Sequence, residues 1–120
     1  MTWHSQSPKT SFLESPEIHL KALDEKKENM IPAIIADPYC REILQATKFI
    51  PKSVIEIYAD TKVPISTVYR RVQSLCDAEL LKTSGTISED GKKFFLYKSA
   101  VKEVLIKFDG SLHVKTTPNS

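Results

Sequence analysis

Apolar residues recur every three or four positions through the middle of the chain and alternate with polar residues nearer the C-terminus. The first spacing predicts amphipathic helices and the second predicts half-buried strands. The clearest helix spans about residues 65–79, where Val68, Val72 and Leu75 share one side. This helix would direct hydroxyl, phenol, amide and guanidinium groups away from the core.

Two other helices are predicted before it. Asp37-Pro38 is typical of a helix start, because Asp accepts a hydrogen bond from a free backbone amide and Pro at the first position loses none. This helix would end near Thr47. Ser53 and Glu56 have the spacing of a capping box, which predicts the start of the next helix. The residues expected to face the core are Tyr39, Ile43, Leu44 and Ala46 in one helix and Val54, Ile55, Ile57 and Tyr58 in the other.

The rest of the chain predicts two β-hairpins. Residues 80–97 contain two strand-like segments around a turn at Gly91, directly after the third helix, which is the position of a wing. Asp109-Gly110 lies between alternating apolar segments and predicts a second hairpin. A helix over residues 99–105 is the alternative for the start of that segment.

These elements predict an α+β protein with one core, which 120 residues can build. We expect a flexible N-terminal tail at 1–15, a short helix or linker at 16–36 and a winged helix-turn-helix domain at 37–98. A C-terminal β-hairpin at 99–115 would follow and could mediate dimerisation, and residues 116–120 would be a flexible tail.

The residues of the third helix carry a family resemblance. Ser66-Thr67-Val68-Tyr69-Arg70-Arg71-Val72, then Leu75 and Ala78-Glu79-Leu80-Leu81, resembles the STVYRRL…L…AGLL pattern of winged helix-turn-helix regulators of the ArsR and MarR type, particularly archaeal ones. The resemblance covers roughly residues 37–97. Lys62 and Glu79 stand where the family often has Gly, and a left-handed conformation at Lys62 would cost at most about 1 kcal/mol. The cysteine-rich motif of metal-sensing members is absent.

The resemblance implies a sequence-specific transcription regulator that binds double-stranded DNA as a homodimer. The third helix would enter the major groove and the wing would contact the flanking backbone. One of Arg70 and Arg71 is expected to read a base while the other holds a phosphate. The candidate DNA-binding residues are Ser66, Thr67, Tyr69, Arg70, Arg71, Gln73, Lys92 and Lys93.

The distribution of charge favours this interpretation. Residues 62–98 hold seven basic and four acidic side chains, a net of +3, and since the whole chain carries +2 the remainder sums to −1. A positive face is what a polyanion requires. The alternative is a winged-helix module that binds another protein within a larger assembly, with these residues as an ordinary solvated face.

Other functional classes find little support in the sequence. The chain has no Gly-rich phosphate loop, HExxH or GxSxG motif, so we expect no enzyme and no cofactor. Two cysteines and three histidines far apart in the chain predict no metal site. No apolar run approaches a membrane span, and the N-terminus lacks a secretory signal, so we expect a cytoplasmic protein. No pattern indicates an effector ligand.

Overall fold

A computed structural model describes residues 29–120, and the expected N-terminal tail and residues 16–28 lie outside them. Residues 29–36 are helical (α1). The helices that follow are α2 (Pro38–Ala46), α3 (Val54–Thr61) and α4 (Ile65–Asp77). The strands are β1 (Leu81–Ile87), β2 (Lys93–Ser99), β3 (Val101–Phe108) and β4 (Leu112–Pro118). The described chain is therefore α+β, with its helices before its strands.

Both predicted helix starts are confirmed. The Asp37 carboxylate accepts a hydrogen bond from the Tyr39 amide at 3.0 Å, and Pro38 occupies the first position of α2. At α3, the Glu56 amide donates to the Ser53 hydroxyl at 3.2 Å and the Ser53 amide donates to the Glu56 carboxylate at 2.8 Å. These bonds satisfy amides that a helix leaves without partners in its first turn.

Lys62 and Glu79 both adopt the left-handed conformation, each with φ of 63°. Lys62 ends α3, where its amide donates to the Tyr58 carbonyl at 2.8 Å. After α4, the Leu80 amide donates to the Leu75 carbonyl at 2.8 Å, which is the long bond of a Schellman motif. Glu79 therefore occupies the position where such a motif usually has Gly, and α4 passes directly into β1.

The core lies where α2, α3 and α4 meet, and Ile31 and Ile34 of α1 join it. Its fully buried side chains include Ile43, Ile57, Val68 and Leu75. Other residues that the sequence assigns to the core are not buried: the prediction is wrong for Tyr39, Ile55 and Tyr58. Helix α3 turns Val54 and Ile57 inward, and the residue after each lies about 100° further round the helix and reaches solvent.

The strands form two separate antiparallel hairpins. The first hairpin pairs β1 with β2, from Leu81 opposite Ser99 to Ile87 opposite Lys93. It has a third, very short partner, because Lys52 exchanges two backbone hydrogen bonds of 2.9 and 2.8 Å with Tyr97. The second hairpin pairs β3 with β4 across Asp109-Gly110, as predicted. The alternative of a helix over residues 99–105 is wrong, since β3 begins at Val101.

Hydrogen bonds hold the end of the first hairpin and the end of the second hairpin against the residues that follow α2. The Ser99 amide donates to the carbonyl of the buried Thr47 at 3.0 Å. The Asn119 side chain donates to the carbonyls of Lys48 at 2.8 Å and Ser99 at 3.0 Å. Strand β4 also continues to Pro118, past the expected end at residue 115. The expected loose tail is therefore not observed over residues 116–119, because the ladder and the Asn119 bonds hold them.

Candidate nucleic-acid interface

Helix α4 has one buried side and one polar side. Val68, Val72 and Leu75 are buried in the core. The opposite side exposes a polar stripe, which we define as Ser66, Tyr69, Arg70 and Gln73. These four residues follow the spacing i, i+3, i+4, i+7, so they lie on one helix face. The exposed fraction of Tyr69 is 59%.

The N-terminus of α4 adds hydrogen-bond donors to this face. Its cap is Pro64, which has no side-chain acceptor, and the Pro64 carbonyl accepts from the amides of Thr67 and Val68 at 2.9 Å each. Within residues 29–120, the amides of Ile65 and Ser66 make no hydrogen bond. Free amides at a helix start, together with the exposed Ser66 hydroxyl, suit an anionic oxygen such as a phosphate oxygen.

Arg71 differs from the polar stripe because it is bound within the protein. Its guanidinium makes an ion pair with Asp37 and lies 5.8 Å from the centre of the Tyr39 ring. Burial raises the pKa of the Asp37 carboxyl, but hydrogen bonds from the Tyr39 amide and Arg71, with the charge of Arg71, outweigh it and leave that pKa below its ordinary value. Arg71 thus joins α4 to the start of α2.

Arg70 has no such partner. Its side chain is exposed and forms no ion pair or hydrogen bond with any residue in the described range. Its neighbours further along the helix are partly engaged: the Gln73 amide group donates to the Asp77 carboxylate at 3.0 Å. Thr67 is half-buried beside the stripe. Among the predicted helix residues, Arg70 is therefore the cation available to a ligand.

The turn of the first hairpin presents Lys92 and is tightly hydrogen-bonded. The Ser88 amide donates to the Lys92 carbonyl at 2.8 Å, and the Lys92 amide donates to the Ser88 hydroxyl at 3.1 Å. Gly91 takes a φ of 86°, which suits Gly. The Ser88 hydroxyl and the Lys92 amide lower the pKa of the Asp90 carboxyl. The turn therefore places a carboxylate close to the exposed Lys92.

A cleft of about 280 Å³ lies between α4, the start of α3 and strand β2. Tyr69 of the polar stripe and Lys93 of β2 both line it, so the structure brings these two predicted residues together. The Lys93 ammonium lies 5.6 Å from the centre of the Phe95 ring, which gives a cation–π contact. Ile55 and Tyr97 complete the apolar wall.

Sequence reasoning missed this cleft, although a signal for part of it was available. Phe95 and Tyr97 stand two positions apart in a strand, so they share a face of the hairpin. Ile55 gave no comparable signal, because its exposure depends on how α3 packs. The cleft adds aromatic and aliphatic surface to an interface that the sequence predicts from polar groups alone.

Neither cysteine lines this cleft. Burial, together with the nearby Asp37 carboxylate, raises the pKa of the Cys40 thiol to about 11. Burial also raises the pKa of Cys76, which is half-buried. Both thiols are therefore protonated at neutral pH and poor nucleophiles.

In the part of the chain that the structure describes, no three His, Cys, Asp or Glu side chains converge as metal ligands. Nor is any helix there long and apolar enough to cross a membrane.

No protein-family model matches the chain, and no curated protein is significantly similar to it.

Proposed function

We propose that this protein is a sequence-specific, DNA-binding transcription regulator of the winged helix-turn-helix type, resembling archaeal regulators of the ArsR and MarR kind. Helix α4 enters the major groove, and the first hairpin acts as the wing on the flanking backbone. The observation that carries the proposal is the polar stripe of α4, exposed opposite a fully buried aliphatic side. An α-helix with this face fits the major groove of B-DNA.

The order of elements supports the winged-helix assignment. Helix α2 is followed by the short bridge at Lys52, then by α3, α4 and the two strands of the first hairpin. The bridge ties the hairpin to the loop between α2 and α3, and the Schellman turn at Glu79 joins it directly to α4. Lys93 of β2 and Tyr69 of α4 line one cleft, which supports the proposal that the hairpin and α4 contact the same duplex.

Each group in the interface has a distinct task. Arg70 is the residue that reads a base, because a free guanidinium can donate two hydrogen bonds to the O6 and N7 of guanine. The N-terminus of α4 and the Ser66 hydroxyl bind a phosphate. Lys92 and Lys93 bind the backbone from the wing. Arg71, by pairing with Asp37, sets the position of α4 instead of contacting DNA.

The experiment that tests this function is selection of bound duplexes from a random pool. The wild-type protein is expected to enrich one sequence motif. The variant Arg70→Ala should enrich it poorly or relax it at a single base position, since a good Arg–guanine pair contributes about 1–3 kcal/mol of discrimination. Lys115→Ala is the matched control, because Lys115 is an exposed cation outside the interface. The proposal fails if the wild type enriches nothing.

The cleft supports a second candidate function, which is protein recognition by the same face. Ile55, Tyr69 and Phe95 expose apolar surface around it, and aromatic side chains at a cleft suit a partner protein. Glu89 and Asp90 at the hairpin turn would repel DNA phosphates. If the folded wild-type protein enriched no duplex in this selection, the result would favour protein recognition over transcription regulation.

A further inference from the structure

The second hairpin exposes an unusual amount of apolar surface for a two-stranded unit. Ile106 lies opposite Val114 and Phe108 lies opposite Leu112, so these side chains share one face. Phe108 has an exposed fraction of 74%. An isolated two-stranded hairpin is at best marginally stable in water, and further strands or a helix against its apolar face are needed. The base of the hairpin packs on the core through Val104 and Val114, but its outer half does not.

The two edges of this hairpin differ in their suitability for another strand. Within the described residues, β3 pairs only with β4, so the outer edge of each strand is open. The β4 edge is poor for pairing with its own copy, because Lys115 has no acidic residue on β4 to face and Pro118 has no amide hydrogen. The β3 edge has a register irregularity between Val101 and Glu103, and beyond it residues 103–107 form a regular run.

We infer that β3 pairs antiparallel with β3 of a second copy of this chain, about a twofold axis at Leu105. In this register Glu103 lies opposite the partner's Lys107, and Lys107 lies opposite the partner's Glu103. Val104 lies opposite the partner's Ile106. The result is a four-stranded antiparallel sheet with the apolar residues of both copies on one face, and the two oppositely charged pairs recur by symmetry.

Charge selects this register over its neighbours. Both Glu103 and Lys107 are exposed, and the ion pair that Lys107 makes within residues 29–120 is a long 3.9 Å contact with Asp109. An axis at Glu103 or at Lys107 sets like charges directly opposite each other. An axis at Ile106 sets Glu103 against the partner's Asp109, and an axis at Val104 leaves Glu103 opposite an aliphatic side chain. Only the axis at Leu105 pairs Glu103 with Lys107 twice.

The surface beside the first residues of β3 also suits a second copy of this chain. A cleft of about 230 Å³ opens there, and its lining includes Arg41, Lys48 and Lys102. In the inferred register the partner's Asp109 lies opposite Val101, at this cleft. The partner's Asp109 therefore meets a cleft lined by three basic side chains and by Glu103. This interface does not depend on the proposed DNA binding, since it uses other residues.

A charge-reversal experiment on the full chain tests the interface without DNA. Sedimentation equilibrium should show a dimer for the wild type. Glu103→Lys and Lys107→Glu each set like charges opposite each other twice, so each should weaken the dimer at least about tenfold. An equimolar mixture of the two variants restores two attractive pairs and should form a heterodimer of near wild-type affinity. Lys115→Glu, on the opposite edge, is the control and should leave association unchanged.

The mixture distinguishes loss of the charge pairs from loss of folding as the cause of a weakened dimer. Misfolded variants would not recover a specific dimer when combined. A monomeric wild type would overturn the inference. So would single variants that stay dimeric, or a mixture that remains monomeric. A dimer weakened equally by Lys115→Glu would place the interface on another edge and would also overturn it.

Discussion

Adjacent arginines on α4 have opposite surroundings. Arg71 is bound to Asp37 and lies near the Tyr39 ring, whereas the side chain of Arg70 is exposed and forms no ion pair or hydrogen bond with other described residues. The first is part of the packing between α2 and α4, and the second is available to a ligand. Substitution of the two residues should therefore affect different properties of the protein.

Arg71→Ala is expected to lower the free energy of unfolding by about 1 kcal/mol, because it removes a partly buried ion pair and a cation–π contact. Arg70→Ala should change that free energy by less than about 0.5 kcal/mol, as surface substitutions usually do. Urea unfolding of both variants, followed by circular dichroism, measures the difference. Equal destabilisation by the two substitutions would contradict the assignment of Arg71 to the fold.

The ion pair at Asp37 also predicts a pH dependence. Because the pKa of Asp37 in the folded protein lies below the ordinary value of 3.8, its stabilising contribution is complete at neutral pH and is lost as pH falls through the lowered value. Asp37→Asn keeps a good helix cap but loses the charge. The stability advantage of the wild type over Asp37→Asn should therefore be constant above about pH 5 and shrink below about pH 4. A gap that widens in acid would refute this account.

The left-handed backbone conformation of Lys62 is slightly strained. Lys62→Gly should be more stable than Lys62→Ala by about 1 kcal/mol, because Gly adopts positive φ without a steric penalty. Comparing two variants cancels the loss of the contact between the Lys62 ammonium and the Tyr58 ring, 6.0 Å away. Thermal unfolding of the pair measures the difference. Equal stabilities would mean that residue 62 relaxes to another conformation.

At the scale of elements, the capping box fixes where α3 begins and so places the turn that leads to α4. Ser53→Ala removes the bond to the Glu56 amide and should destabilise the protein by about 1 kcal/mol. Ser74→Ala is the matched control, since the Ser74 hydroxyl bonds back to the Arg70 carbonyl of its own helix at 3.4 Å and Ala is the better helix former. If chemical unfolding showed that Ser74→Ala destabilises the protein more than Ser53→Ala does, the result would contradict the stabilising role of the cap.

Local chemistry explains how much of the fold could be predicted. Caps, the α4 periodicity and the Asp109-Gly110 turn depend on residues a few positions apart, so their signals are visible in the sequence. The partner of Arg71 is Asp37, thirty-four positions earlier, and the exposure of Ile55 depends on helix packing. Of the candidate site, the polar stripe was therefore predictable, whereas the division between Arg70 and Arg71 was not.

At the scale of the whole molecule, two exposed surfaces lie on separate elements. The polar stripe and the first hairpin form the proposed DNA-binding face, while the second hairpin carries the inferred contact with a second copy. A dimer would present two copies of α4, which matches operators built from two half-sites. Because the two surfaces share no residue, their functions can be measured separately.

The most direct test of the central claim is the salt dependence of duplex binding. The affinity of the wild type for random duplex should fall linearly with salt on logarithmic axes, with a slope of about −0.9 for each phosphate contacted. The double variant Lys92→Ala/Lys93→Ala should reduce that slope by nearly two, whereas Lys115→Ala should leave it unchanged. Wild-type binding that is absent at low salt, or insensitive to salt, would contradict the claim that this face binds DNA.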